Sequence, residues 1–284
     1  MSRIEQAMER AARLRKSGTP APQSGPQDQP PVEIDLRPAH IYEPPDRPAV
    51  QMSTDNPFLV NLNAPSSPIG EEFRKLKAAL VKLTTAGDVF RNTILVTSAV
   101  PHEGKSITAL NLAISLAQEY DHTVLLVDAD FRRPSIHRYL GMEVCSGFAD
   151  CLQGRAEIGE VIIPTGIGRL SVVTAGSEVP DPVELFASQK TESLVQELKH
   201  RYHDRFIIFD SPPVLPFAES RTMAHLLDGV LFVVKEQLAS QRNVREALEA
   251  LKGCSMLGMV YNDTVVDRHD EKYSSYGYYR RTSS

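Results

Sequence analysis

Residues 92–106, Asn92-Thr93-Ile94-Leu95-Val96-Thr97-Ser98-Ala99-Val100-Pro101-His102-Glu103-Gly104-Lys105-Ser106, decide the fold. The first seven read as a buried strand, because a short apolar, β-branched run bounded by turn residues has that signature. Residues 104–120 carry helical periodicity, so Gly104-Lys105-Ser106 opens a helix directly after a strand. That context turns a Gly-Lys-Ser triplet into a candidate phosphate-binding loop. Backbone N–H groups at such a helix start can cradle phosphate oxygens. Pro101, His102, Glu103, Gly104, Lys105, Ser106 and Ile107 are therefore the candidate nucleotide-binding residues. Lys105 would reach the β- and γ-phosphates of ATP, and the Ser106 hydroxyl would ligate Mg²⁺. The loop departs from the strict pattern, with Ala99 where a first glycine is expected.

Elements of the same kind flank this unit. Strands are expected at 92–98, 123–129, 169–174, 205–210, 229–234 and 255–261. Helices are expected at 67–84, 104–120, 182–203, 217–227 and 240–252, with a helix-rich stretch reaching about 160. Apolar strands alternating with amphipathic helices imply an α/β fold of the P-loop NTPase type, a mainly parallel twisted sheet covered by helices on both faces. Two strands deliver acids at their carboxyl ends, where such sheets bind ligands. Leu125-Leu126-Val127-Asp128-Ala129-Asp130 places Asp128 and Asp130 on one side of an extended backbone. Phe206-Ile207-Ile208-Phe209-Asp210 ends in a single acid of Walker B form. Ser106, Asp130 and Asp210 are the candidate Mg²⁺ ligands, since Mg²⁺ takes a few protein oxygens together with phosphates and water. Asn262 ends the last strand. It reads equally as a contact to an adenine edge or as a turn residue. His102 has no metal-ligand or acid–base partner in the sequence and reads as a loop residue.

Composition bounds the rest. Hydrophobic residues make up 42% of the 284 residues and charged residues 24%, which excludes a fully disordered chain. A net charge of -5 gives no support to nucleic-acid binding driven by bulk basicity. The three cysteines lack metal or disulfide spacing and read as free thiols. Of 20 prolines, 12 fall within the first 68 residues, and four of nine tyrosines fall within seven positions, at Tyr273, Tyr276, Tyr278 and Tyr279. The expected organisation is a short amphipathic helix over 1–16, a proline-rich disordered linker over 17–66, a catalytic domain over 67–265 and a flexible tail over 266–284. The 1–16 helix carries one apolar stripe (Ile4, Met8, Ala11, Leu14) and is open to two readings, a frayed terminus or a docking helix. No run approaches the ~18 apolar residues of a membrane span, and the first residues lack a secretory core. A cytoplasmic protein is expected, with any membrane association supplied by a partner.

Taken together, the Ser-Ala-x-Pro-x-Glu-Gly-Lys-Ser loop, Leu-Leu-Val-Asp-Ala-Asp-Phe-Arg-Arg-Pro and Ile-Ile-Phe-Asp-Ser-Pro-Pro resemble the bacterial protein-tyrosine kinases, P-loop enzymes unrelated to the eukaryotic kinase fold. The resemblance covers about 67–284. The N-terminal Met-Ser-Arg-Ile-Glu-Gln-Ala segment and the linker resemble the autokinases associated with exosortase and exopolysaccharide loci. The resemblance implies that Lys105 binds ATP-Mg²⁺, that Asp128 is the general base toward a tyrosine hydroxyl, and that Asp130 and Asp210 organise the metal. It implies that the four tail tyrosines are autophosphorylated between subunits. It also implies regulation of exopolysaccharide or capsular polysaccharide synthesis and export. In the family a Glu-x-x-Arg-x-x-Arg helix assembles a homo-oligomeric ring; here Glu71, Arg74 and Lys77 occupy it, with lysine replacing the last arginine. A solvated charged face is the other reading of those three. The implied partner is a membrane polysaccharide co-polymerase, or chain-length determinant, that activates the kinase at the inner membrane. Two rivals share the fold. One is a partitioning or MinD-like switch ATPase, whose loop begins with a lysine where Val100 stands. The other is a kinase-inactive, nucleotide-dependent assembly module of an export machine.

Overall fold

The sheet forms because five runs of aliphatic and aromatic residues are too apolar to face water on either side. In the computed structural model these runs are the strands β1 (Thr93–Ser98), β2 (Thr123–Asp128), β4 (Leu170–Val173), β5 (Arg205–Asp210) and β6 (Gly229–Lys235). Two edge strands, β3 (Ile163–Pro164) and β7 (Met256–Asn262), complete seven, in the order β3-β4-β2-β5-β1-β6-β7. All neighbours pair in parallel except β3 with β4. The expected α/β fold with a mainly parallel sheet is the fold observed. The structure describes residues 55–264 apart from 88, 89, 120, 121, 144, 145, 202 and 203. The 1–16 helix, the linker as far as residue 54 and the four tail tyrosines lie outside the described residues.

Alternate residues of each strand feed two cores. Ile94, Val96, Val124, Leu126, Phe206, Ile208, Leu231 and Val233 enter one, which α2 (Pro68–Thr84) and α3 (Lys105–Ala117) cover through Leu80, Leu110 and Ile114. Leu95, Val127, Ile207, Phe209, Val230 and Phe232 enter the other. That face is closed by α5 (Phe148–Leu152), α8 (Gln189–Arg201), α9 (Glu219–Leu226) and α10 (Gln241–Ala250). Helix α2 starts where the sequence predicts: the Ser67 hydroxyl accepts from Gly70 N at 3.1 Å, and Pro68 occupies the first turn.

Three local expectations change. Residues 59–63 were expected in a structureless linker. Instead Val60–Asn63 forms α1, held on α3 by a buried polar clasp. Asn61 N donates to Asn111 Oδ1 at 3.0 Å and Asn61 Nδ2 to Asn111 O at 2.7 Å, while Asn111 Nδ2 donates to Phe58 O at 2.7 Å. Leu59 is buried beside them. The helix expected over 182–203 is broken into α7 (Pro182–Phe186) and α8. Ser188 makes the break, its hydroxyl donating to Leu185 O at 2.7 Å and accepting from Thr191 N at 3.3 Å. The helix-rich stretch before residue 160 contains α4 (Ile136–Tyr139), α5 and the start of α6 (Ile158–Val161).

Candidate active site

The carboxyl ends of β2, β5 and β1 lie side by side at the middle of the sheet. Register pairs Asp128 with Asp210 and Val96 with Asp210, so both strand-end acids arrive at one level. The loop after β1 rises against them. His102 and Gly104 take left-handed backbone, with φ of 69° and 87°. The second is natural for glycine, while the first costs a residue with a Cβ. The loop is braced from within. Glu103 is fully buried, its carboxylate accepting from Val100 N at 2.7 Å and from Lys235 N at 3.3 Å. Asn262 Nδ2 donates to Glu103 O at 2.9 Å, which ties the end of β7 to the loop. A Cβ on Gly104 would stand 2.1 Å from that Nδ2. The side chains of Glu103 and Asn262 therefore shape the loop, a role that neither reading of Asn262 had included. Helix α3 then begins without a side-chain cap or an acid in its first turn, so its opening N–H groups remain available to an anion.

Four ionisable side chains meet below the loop. Lys105 Nζ lies 2.9 Å from Asp130 Oδ2. The other Asp130 oxygen accepts from Arg133 N at 2.9 Å. Asp128 Oδ2 accepts from Ser135 N at 2.9 Å and Ile136 N at 3.1 Å, and its Oδ1 from Asp130 N at 3.3 Å. Asp210 is fully buried, and neither oxygen has a hydrogen-bond partner. The Ser106 hydroxyl lies close enough to favour its charged form without meeting normal hydrogen-bond geometry. Three carboxylates thus surround one ammonium. Burial first, then the charge of Asp210, pushes Asp128 up to about 8 against the opposing bonds from Ile136 and Ser135. Burial likewise pushes Asp210 up to about 6, with Lys105 and Ser106 opposing. Burial alone would lower Lys105, but Asp210, Asp130 and Asp128 together hold it above its ordinary value.

A buried carboxylate with two orphaned oxygens, beside a serine hydroxyl, fits a hard divalent cation. Among the described residues no three His, Cys, Asp or Glu side chains converge as a ligand cluster. A cation here would draw much of its shell from phosphate oxygens and water. Of the residues singled out from sequence, Lys105, Ser106, Asp128, Asp130 and Asp210 come together, with the backbone of Glu103, Gly104 and Ile107 beside them. Pro101 and His102 are exposed on the rim of the loop. On α2, Arg74 pairs with Glu71, and Lys77 Nζ reaches Glu119 Oε1 at 2.8 Å, so all three already have partners within the chain. Glu219 belongs to none of the motifs legible in the sequence. It is buried at the start of α9, and its Oε1 accepts from Arg132 Nε at 2.8 Å. Its only signal is an acid in the first turn of a helix.

A family model of the ParA group, described as NUBPL iron-transfer P-loop NTPases, matches residues 89–280. The chain is also 30% identical over 223 residues to tyrosine-protein kinase YwqD of Bacillus subtilis (strain 168), an alignment covering 78% of this chain and 90% of that one. The chain belongs to the bacterial protein-tyrosine kinase family of P-loop enzymes. Its enzyme class is that of the family, protein-tyrosine kinase. The crystal structure of the chimerical protein CapA2B2 superposes with a TM-score of 0.68 at 30% identity, over 74% of this chain and 91% of that one. The succinoglycan biosynthesis transport protein ExoP of Rhizobium meliloti (strain 1021) is 31% identical over 225 residues, 76% of this chain but 27% of that protein. A switch ATPase of the partitioning type is disfavoured, consistent with Val100 standing where that group carries a lysine.

Proposed function

We propose that the chain transfers the γ-phosphate of ATP to tyrosine hydroxyls, with Tyr273, Tyr276, Tyr278 and Tyr279 of another subunit as acceptors. The observation that carries this reading is the buried Asp128, held beside Asp210 and Lys105 at the mouth of a phosphate-binding loop. The α3 N–H groups and Lys105 bind and orient the phosphates. Ser106 and Asp210, with Asp130 nearby, would hold Mg²⁺, which supplies charge neutralisation for the transferring phosphoryl group. Asp128 is fixed by three backbone N–H groups and so is pre-oriented to accept a proton. A tyrosine of pKa ~10 needs such an acceptor as its oxygen bonds to phosphorus and the β–γ bridge breaks. Burial is the larger cause that raises Asp128, and neutralisation of Asp210 would remove the second, its repulsion, and so favour the proton-accepting form.

Glu71, Arg74 and Lys77 would exchange their in-chain partners for those of a neighbour in a homo-oligomeric ring. Among the described residues no helix is long and apolar enough to cross a membrane, and ExoP, similar over part of its length, is named for succinoglycan transport. We place this kinase at the cytoplasmic side of the inner membrane, activated by a polysaccharide co-polymerase and acting on exopolysaccharide synthesis and export. Each phosphate adds ~1.5–2 negative charges to the tail. The test is incubation of the full chain with Mg-ATP and mapping of phosphorylated residues by mass spectrometry. Phosphate should appear on the four tail tyrosines and vanish in Lys105→Met. A tyrosine signal that survives Lys105→Met would overturn the reading.

A further inference from the structure

The cations around the site are not equivalent. Lys105 is paired with Asp130, and Arg132 with Glu219 while lying over the Phe217 ring at 5.3 Å. The Arg133 guanidinium has no carboxylate partner among the described residues. Its backbone N–H binds Asp130 Oδ1 at 2.9 Å, which places the residue one carboxylate away from Lys105. Its exposed guanidinium meets only His102, Nη1 to Nε2 at 3.4 Å, where the left-handed backbone of the loop turns that imidazole outward. A permanent, unpaired guanidinium at the rim of a phosphoryl-transfer site is ready to bind a carboxylate.

The tail supplies one at a single register. It reads Asp267-Arg268-His269-Asp270-Glu271-Lys272-Tyr273-Ser274-Ser275-Tyr276-Gly277-Tyr278-Tyr279. An extended acceptor projects alternate residues to the same side. Two positions before Tyr273 stands Glu271, whereas Ser274 stands two before Tyr276 and Gly277 two before Tyr279. We propose that Arg133, beside His102, is a specificity-determining residue that binds the carboxylate two residues before the acceptor tyrosine and so selects Tyr273. This rests on the kinase reading above.

The experiment uses full chains. Donors carry Tyr→Phe at all four tail positions, with Arg133 intact or as Arg133→Ala. Acceptors carry Lys105→Met, with the tail intact or as Glu271→Gln. Transfer to each tyrosine is followed by quantitative mass spectrometry. Arg133→Ala should slow transfer to Tyr273 roughly threefold to tenfold, the range for a partly exposed charge-assisted contact. Transfer to Tyr276 and Tyr279 of the same acceptor should be unchanged, as should the KM for ATP. Glu271→Gln should produce the same loss with the intact donor and no further loss with Arg133→Ala. An Arg133→Glu donor should recover Tyr273 transfer on a Glu271→Lys acceptor. Equal slowing at all tyrosines, a raised KM for ATP, or additive losses would overturn the assignment while leaving the kinase reading intact. No transfer by the donor with intact Arg133 would overturn both.

Discussion

Replacing Asp128 by Asn should make the nucleotide-free protein more stable at pH 8 while disabling it. Asp128 is fully buried, and burial together with Asp210 moves it from an ordinary 3.8 to about 8. Below pH 4 the carboxyl is protonated in both the folded and unfolded chain, so its favourable contribution is fully present. As pH rises, the unfolded chain ionises first, and stability is lost progressively until the folded group titrates near 8. At about 1.4 kcal/mol for each tenfold change, that interval is worth on the order of 5 kcal/mol. Asparagine carries no such penalty. Its Oδ1 can still accept from Ser135 N and Ile136 N, and only the long bond from Asp130 N, 3.3 Å, turns unfavourable. That loss is about 1 kcal/mol. Urea unfolding in EDTA at a series of pH values should therefore show Asp128→Asn slightly less stable than wild type at pH 4. It should become progressively more stable, by several kcal/mol, toward pH 8. Parallel stability curves for the two proteins across that range would refute the assignment of a proton-holding Asp128.

Other perturbations follow from the loop and its supports. Gly104→Ala puts a Cβ against Asn262 Nδ2 in a left-handed backbone; affinity for a fluorescent ATP analogue should fall at least about tenfold, roughly 1.4 kcal/mol, and an unchanged titration would contradict the clamp. Glu103→Gln keeps shape but turns an amide donor toward either Val100 N or Lys235 N. It should cost about 1–3 kcal/mol, seen as a lower urea midpoint. Asn111→Ala removes the clasp on α1; hydrogen exchange at the Asn61 amide should accelerate well before that of the central strands.

The middle of the fold was readable because its chemistry is local. Buried parallel strands must be continuous apolar runs, and 205–210 and 229–234 can be little else. The acids Asp128, Asp130 and Asp210 stood out because charge at the end of such a run demands a reason. The features that are not legible in the sequence depend on contacts between residues distant along the chain. Asn61 and Asn111 look like ordinary polar residues until the fold brings them together from fifty positions apart. The proline-rich composition around Asn61 also points to an unstructured linker. Ile163–Pro164 is too short to show a period and exists as a strand through its pairing with β4. Ser188 breaks a sequence that is otherwise good helix. Glu103 sits in a loop motif where backbone groups draw attention, yet its side chain points inward to bind Lys235 N, 132 residues away.

The most direct test of the whole account is phosphoamino-acid analysis of the full chain after incubation with γ-³²P-labelled ATP and Mg²⁺. Label is expected on phosphotyrosine alone, abolished by Lys105→Met, strongly reduced by Asp128→Asn and absent when EDTA is present during the incubation. Label on serine or threonine, or steady ATP hydrolysis with no labelled protein, would contradict it.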